Sequence, residues 1–356
     1  MERDKSIDIA KALGIVFIVV GHIFGLEETP AQFHVRNYLY QFHVPLFFFL
    51  SGYCFKETES WRLFLGKKVK RLYVPFLICN LFFFAITLLA LWIFGEPANS
   101  LFGEPLSPLF ILKKCVKIFL GLSTIRICGA SWFLMTLLES LILYKLLFTL
   151  FGKLYEKMSF PIILALTSLV IAIIGFLVRL PYGLERAFVA VFFICAGNLT
   201  KKYGNLIHIN DCVLIPIMLM GVFIILLFSR VNFPDMVIHK YGNFAIYLTS
   251  AIIGIYCTLI FSSFLSRFHS LRFLANWGSV TMWILLFHFA AFKIVTLLQI
   301  ILMGLSWDVF FSFPCNKVSF VWGLLYFIFG FFIPLATAKL YGTISQRSIY
   351  ESKGQH

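Results

Sequence analysis

Charge is scarce in this chain: Asp, Glu, Lys and Arg together make up only 13% of its 356 residues. Hydrophobic residues make up 60%, and 44 residues are phenylalanine. So few charges cannot clothe a water-soluble surface or keep a disordered chain solvated, which leaves lipid as the main solvent. The eight cysteines contain no Cys-x-x-Cys, so neither a zinc site nor a redox pair is indicated and no metal is expected. No Gly-x-Ser-x-Gly occurs, which removes the strand-to-helix serine elbow. Repeats and low-complexity tracts are missing too, and no polar stretch is long enough for a soluble domain. Residues 1–356 therefore read as one membrane domain. The first apolar stretch lacks a small-residue cleavage site after it and is expected to be a retained span rather than a signal peptide.

What is present is a series of apolar runs. Ten spans are expected, near 7–24, 40–55, 72–94, 131–151, 160–179, 186–200, 212–229, 244–263, 280–303 and 319–340. Most approach the ~20 residues that a helix needs to cross hydrocarbon, so the fold class is an all-α polytopic bundle. The net charge of +14 would suggest nucleic acid in a soluble protein. Here its distribution favours orientation instead. With the N-terminus inside, 18 Lys and Arg fall on the cytoplasmic side and 10 outside, Lys145 and Lys293 lying within spans. Both termini are thus expected in the cytoplasm, with the lipid bilayer and not nucleic acid as the partner.

Ionisable side chains inside such runs are costly and face a bundle interior or a wet cavity. His22 closes the first span, 14 residues and ~20 Å beyond Asp8. Its imidazole suits removal of a hydroxyl proton near neutral pH, and an interhelical hydrogen bond is the plainer role. His43 opens the second span and is expected beside His22, as its neighbour or as a helix cap. Pro45 is expected to free a carbonyl within that span. Ser51 and Tyr53 close the segment, Ser51 reading as a packing residue rather than a nucleophile. The run Gly66–Arg71 is the strongest basic cluster; it marks the cytoplasmic side or captures a phosphate-rich cofactor such as coenzyme A. Trp132 and Glu139 share one helical face, with Lys145 or an imidazole expected to pair the glutamate. Lys113, Lys114 and Lys117 share another, on a helix lying at the membrane surface or re-entering it, over an outward-facing site. His288 is a third buried histidine.

In order, Asp8-x-x-Lys11 with Gly21-His22, Phe42-His43-Val44-Pro45 to Ser51-Gly52-Tyr53, and the basic run into Arg71-Leu-Tyr-Val-Pro75 form a pattern. Trp132-Phe133-Leu134, Phe192–Gly197 and Gly278-Ser279 with His288 complete it. Across nearly the whole chain this pattern resembles the acyltransferase family 3 membrane proteins, especially their bacterial fucose 4-O-acetylase-like branch. The resemblance implies an O-acyltransferase of the bacterial cytoplasmic (inner) membrane. Acetyl-CoA, or another acyl-CoA, would enter from the cytoplasm and meet a sugar hydroxyl of a cell-envelope glycan or its lipid-linked precursor. It implies His22 as catalytic base with His43 beside it, and a donor site of Lys11, Lys68 and Arg71. Asp8, Ser51, Tyr53, Trp132, Glu139 and His288 are expected to support them. The family carries Arg-x-x-Arg where this chain has Lys68-x-x-Arg71, and lysine keeps the charge but loses the bidentate fork.

Two other classes compete. A proton-coupled transporter or flippase of a glycan precursor would use the buried histidines and Glu139 as a relay, but the repeat symmetry of such proteins is not visible. An inactive scaffold would have no reason to keep His22 and Arg71.

Overall fold

The computed structural model describes residues 4–24, 29–95, 107–152, 160–204, 211–311, 313–316 and 319–353. Among them are fourteen α-helices: α1 (Lys5–Ile23), α2 (Pro30–Tyr40), α3 (His43–Tyr53), α4 (Trp61–Lys68), α5 (Val74–Phe94), α6 (Pro108–Phe119) and α7 (Trp132–Leu150). The rest are α8 (Phe160–Leu177), α9 (Leu184–Tyr203), α10 (Asp211–Phe228), α11 (Phe244–Ser266), α12 (Phe273–Gly278), α13 (Thr281–Met303) and α14 (Phe320–Lys353). The one β feature described is an isolated bridge between Asp235 and Lys240. The expected class, an all-α polytopic membrane bundle, is what the chain adopts.

Among the described residues eight helices are long and apolar enough to cross a membrane, and Val213–Phe228 is a shorter apolar helix. Their outer faces confirm the solvent: Trp92 is 83% exposed and Phe320 87%, which only lipid tolerates around the whole bundle. Inside, aromatic side chains interlock, with Phe48, Phe49, Phe76 and Phe193 fully buried. Small residues let backbones meet. A Cβ on Gly52 would collide with the Ile194 backbone, one on Gly197 with Phe49, and one on Gly278 with Asp8. These contacts clamp α3 to α9 and α12 to α1.

Within the second expected span, 40–55, the helix is α3; the chain breaks at Gln41 and Phe42, and α2, which precedes the break, lies almost wholly outside that span, each helix having eleven residues. Pro45 therefore sits in the first turn of α3, where its missing N–H has no intrahelical partner to lose, rather than freeing a carbonyl mid-span. The break is held by polar groups: Gln41 Nε2 donates to the Asn232 carbonyl at 2.7 Å, and Ser250 Oγ donates to Gln41 Oε1 at 3.0 Å. The third span is longer than expected, since α4, a π turn and α5 run on as Trp61–Phe94.

The lysine-bearing segment forms α6, capped by Ser107, whose hydroxyl accepts from the Phe110 N–H at 3.1 Å. It ends in a Schellman turn: Leu122 N–H reaches the Lys117 carbonyl and Gly121 N–H the Ile118 carbonyl, with Gly121 at φ +75°. The Tyr73 hydroxyl donates to the Phe119 carbonyl at 2.5 Å. The helix thus packs beside α5.

Candidate active site

His22 lies in the last turn of α1, and its Nδ1 stands 3.0 Å from Nε2 of His288 on α13. The rings stack with 10° between their planes, against Phe289 at 4.8 Å from the His22 ring. His288 is fully buried, and its Nδ1 meets the Ile284 carbonyl at 2.9 Å and that of Leu285 at 3.0 Å. Carbonyls only accept, so Nδ1 of His288 carries the proton and Nε2 offers a lone pair. That lone pair takes the Nδ1–H of His22. Nε2 of His22 is left without a proton, able to accept one. Helix geometry at α13 thereby sets the tautomer of a residue 266 positions away.

His43, expected beside His22, shares a narrow passage of about 30 Å³ with it, also lined by Tyr40, Trp132 and Phe133. Its Nδ1 donates to the Leu39 carbonyl at 2.7 Å across the α2–α3 break, tying the start of α3 to the last turn of α2. The hydrogen-bond partner of His22 is instead His288, from the ninth span of the sequence reading.

Beyond the passage opens a cavity of about 540 Å³ that includes His22, Tyr40, Trp132, Thr136, Glu139 and Phe289. Its wall also carries Arg36, Lys114, Arg126, Arg186 and Asp235. The Arg186 guanidinium lies 5.4 Å from the Trp132 ring centroid, and that of Arg36 4.6 Å from Tyr40. Arg36 also pairs with Asp235 at 3.7 Å. Burial raises the Asp235 carboxyl above its ordinary range, opposed by the Val237 N–H and by Arg36.

On the other side lies a cavity of about 250 Å³ containing Lys11, Ser51, Cys54, Lys68, Arg71 and Thr281. It reaches the narrow passage through Ile18, Phe133 and Leu285, which line both. Lys68 and Arg71, three residues apart, share this wall, and the chain between them enters a π turn, Val69–Tyr73, where the Val74 N–H bonds the Val69 carbonyl. Pro75 has no N–H to continue the regular ladder there. Lys11 is held by the buried Asp8, Nζ to Oδ1 3.2 Å. From Lys11 to His22 the helix climbs ~17 Å. The three cavities form one series from the basic cluster to His22 and on to the wide cavity.

Not every expected residue reaches it. Tyr53 lines none of these cavities; Lys201 lies 5.8 Å over its ring. Ser51 lines the basic cavity, but its hydroxyl donates to the Phe47 carbonyl at 2.8 Å, as a helix-packing serine does. Lys145 does not pair with Glu139: it donates to the carbonyls of Glu57 and Glu59, at 3.1 and 2.8 Å, securing the loop after α3. Glu139 instead shares its cavity with Arg186. Sequence reasoning passed over Arg36, Arg186 and Asp235 because each lies at the edge of an apolar run, where a charge reads as a loop residue.

A family model described as an acyltransferase domain matches residues 4–339 of this chain. Nodulation protein NolL of Mesorhizobium japonicum is 27% identical over 247 residues, which cover 59% of this chain and 61% of that relative. The match thus spans less than two thirds of the relative's length. No solved structure matches.

Proposed function

The chain belongs to this acyltransferase family, and on that premise we propose that it moves an acyl group, acetyl in the first instance, from acyl-CoA to a sugar hydroxyl. The acceptor is a cell-envelope glycan or its lipid-linked precursor, and the protein works in the bacterial cytoplasmic membrane. One observation carries the reading: His22, its Nδ1 paired with His288, lines both the wide polar cavity and the narrow passage that continues the basic cavity.

Lys11, Lys68 and Arg71 suit the phosphates of coenzyme A, with arginine as the forked donor and the lysines as point charges. The passage past Ile18, Phe133 and Leu285 suits the slender thioester-bearing arm, which has to extend ~17 Å to bring its carbonyl to His22. The wide cavity suits a sugar: it combines the aromatic faces of Tyr40 and Trp132 with charged groups able to hydrogen-bond hydroxyls. Nε2 of His22 takes the hydroxyl proton while that oxygen bonds to the thioester carbon. The C–S bond then breaks, and the departing thiolate takes the proton back from the imidazolium, leaving neutral CoA thiol, acyl ester and neutral histidine. His288 holds the imidazole in the required tautomer. His43 and Asp8 act as positioning residues, His43 on the α2–α3 break and Asp8 on Lys11.

The test is release of CoA from acetyl-CoA by the purified protein in bilayers, with and without crude envelope glycans, beside His22→Ala at equal folding. Glycan-dependent release that the substitution abolishes is the expected result. Undiminished release in His22→Ala would remove the base from this histidine. If acetyl-CoA did not bind at all, the acyltransferase reading would fall.

A further inference from the structure

A thioester carbonyl under attack gains charge on its oxygen, and that oxygen needs a hydrogen-bond donor. Neither Ser51 nor Tyr53 supplies one: the Ser51 hydroxyl donates to the Phe47 carbonyl, and Tyr53 lines none of the three cavities. The passage at His22 holds another hydroxyl. Tyr247 lies in the first turn of α11 and is only 1% exposed. It lines the passage with His22, His43 and Leu285, and it lines neither of the two larger cavities of the series. Among the described residues its hydroxyl makes no hydrogen bond. A phenylalanine would pack equally well there, and burying an unpaired hydroxyl costs stability. The hydroxyl is therefore useful only to something that enters the passage.

Its position is built from polar contacts on the backbone. The Asn243 side chain caps α11 by accepting from the Ile246 N–H at 3.1 Å, and the Asn243 N–H donates to Asn232 Oδ1 at 2.8 Å. The Asn232 carbonyl in turn accepts from Gln41 at the α2–α3 break. One asparagine thus ties the start of α11, with Tyr247, to the start of α3, with His43. The ring itself packs on Tyr241, centroids 5.1 Å apart, and edge-on to Phe193 at 6.3 Å.

At about 30 Å³ the passage has room for a group the size of one water, not for a sugar ring. Nε2 of His22 and Nε2 of His43 both offer lone pairs there, because each Nδ1 is the donor in its own hydrogen bond. Tyr40, Trp132 and Asp235 also line the passage, but all three border the wide cavity too, where the sugar is placed. Tyr247 faces what arrives from the other direction, past Ile18, Phe133 and Leu285.

We propose that Tyr247 is a catalytic residue, its hydroxyl donating a hydrogen bond to the thioester carbonyl oxygen as that oxygen becomes a tetrahedral oxyanion. The sugar oxygen bonds to the carbon, its proton passes to His22, and the carbonyl electron pair moves onto oxygen. When the C=O bond re-forms, the C–S bond breaks. Tyr247 keeps its proton throughout. The assignment rests on the acyltransferase reading.

The experiment compares the full chain with Tyr247→Phe in phosphatidylcholine nanodiscs. Its probe is a CoA analogue in which methylene replaces the thioester sulfur and trifluoromethyl the acetyl methyl, so that the hydrated ketone copies the tetrahedral centre. In the variant, kcat for glycan-dependent CoA release falls on the order of 10²-fold with the KM for acetyl-CoA unchanged. Affinity for the analogue falls about tenfold or more, and the melting midpoint is equal or higher. Three results each overturn the assignment: an unchanged kcat, equal loss of affinity for the analogue and for acetyl-CoA, or a lowered midpoint that accompanies the loss of rate. Release by the wild type that the substitution leaves intact removes Tyr247 and keeps the acyltransferase reading. A wild type that binds neither acetyl-CoA nor the analogue overturns both.

Discussion

His22 and His288 lie 266 residues apart in the chain, yet Nδ1 of the first is 3.0 Å from Nε2 of the second. The carbonyls of Ile284 and Leu285 fix the His288 proton on Nδ1, so only one direction of hydrogen bonding is open to the pair. The proposed base needs its lone pair facing the substrate, and the pairing with His288 suits that orientation.

Replacing His288 should therefore lower turnover through orientation rather than through binding. His288→Ala is expected to reduce kcat on the order of tenfold to hundredfold, the equivalent of a ~1.5–3 kcal/mol hydrogen bond, with the KM for acetyl-CoA unchanged. His22→Ala should lose more, about 10²-fold or beyond. His288→Gln keeps an acceptor oxygen and should recover part of the loss. Steady-state kinetics decide: equal rates for the Ala and Gln variants would mean that His288 serves packing alone.

The donor end has the opposite signature. Arg71→Ala should raise the KM for acetyl-CoA about tenfold or more, by removing charge-assisted phosphate contacts, with a smaller change in kcat at saturation. Lys68→Arg restores the forked geometry on the same cavity wall and should lower that KM. A Lys68→Arg variant that binds the donor no better than wild type would show that Lys68 contributes only its charge.

Much of this was legible in the sequence because lipid imposes long apolar runs, and because a buried ionisable group inside such a run stands out. His22 and His288 were visible that way, while Lys68 and Arg71 stood out as a basic run beside a span. The α2–α3 break was not, because the groups that satisfy it, Asn232 and Ser250, come from 191 and 209 residues away. Nor was the choice of partner for His22, since short connection favoured His43 while helix packing delivered His288. Arg186 owes its place over Trp132 to the approach of α9 to α7, which periodicity within either helix does not encode.

Close backbone approach gives a stability prediction with an internal control. Gly278→Ala would drive a Cβ into the Asp8 backbone, where nothing flexible can yield, and should destabilise the protein by about 1–3 kcal/mol. Gly66→Ala meets nothing within 4 Å on helix α4 and should be neutral or stabilising by about 0.5–1 kcal/mol. Thermal melting of the two purified variants checks this. Similar midpoints would refute the idea that Gly278 sets the α12–α1 distance.

Asp235 predicts a pH effect on stability. Its carboxyl is raised in the fold, so the fold gains while the group is protonated and loses that contribution as pH climbs through the raised value. Asp235→Asn is neutral throughout and escapes this loss. The difference in melting midpoint should move in favour of the variant as pH rises above the ordinary aspartate range. Movement the other way would mean that the Arg36 pair outweighs burial.

The passage at Ile18, Phe133 and Leu285 makes a final distinction between holding the donor and reaching the base. These side chains line both the basic cavity and the narrow space at His22, so a donor bound by its phosphates has to thread between them. Ile18→Phe enlarges one wall without touching Lys68 or Arg71. Acetyl-CoA should bind with unchanged affinity while kcat falls, because the thioester stops short of Nε2 and near-attack geometry is lost; a 1 Å displacement alone is worth about 10²-fold. Longer acyl chains should suffer more than acetyl, since the constriction has to pass the acyl group as well as the arm. Calorimetric binding beside single-turnover rates separates the steps. If Ile18→Phe leaves the rate intact, or weakens binding and rate in equal proportion, the thioester reaches His22 by another route.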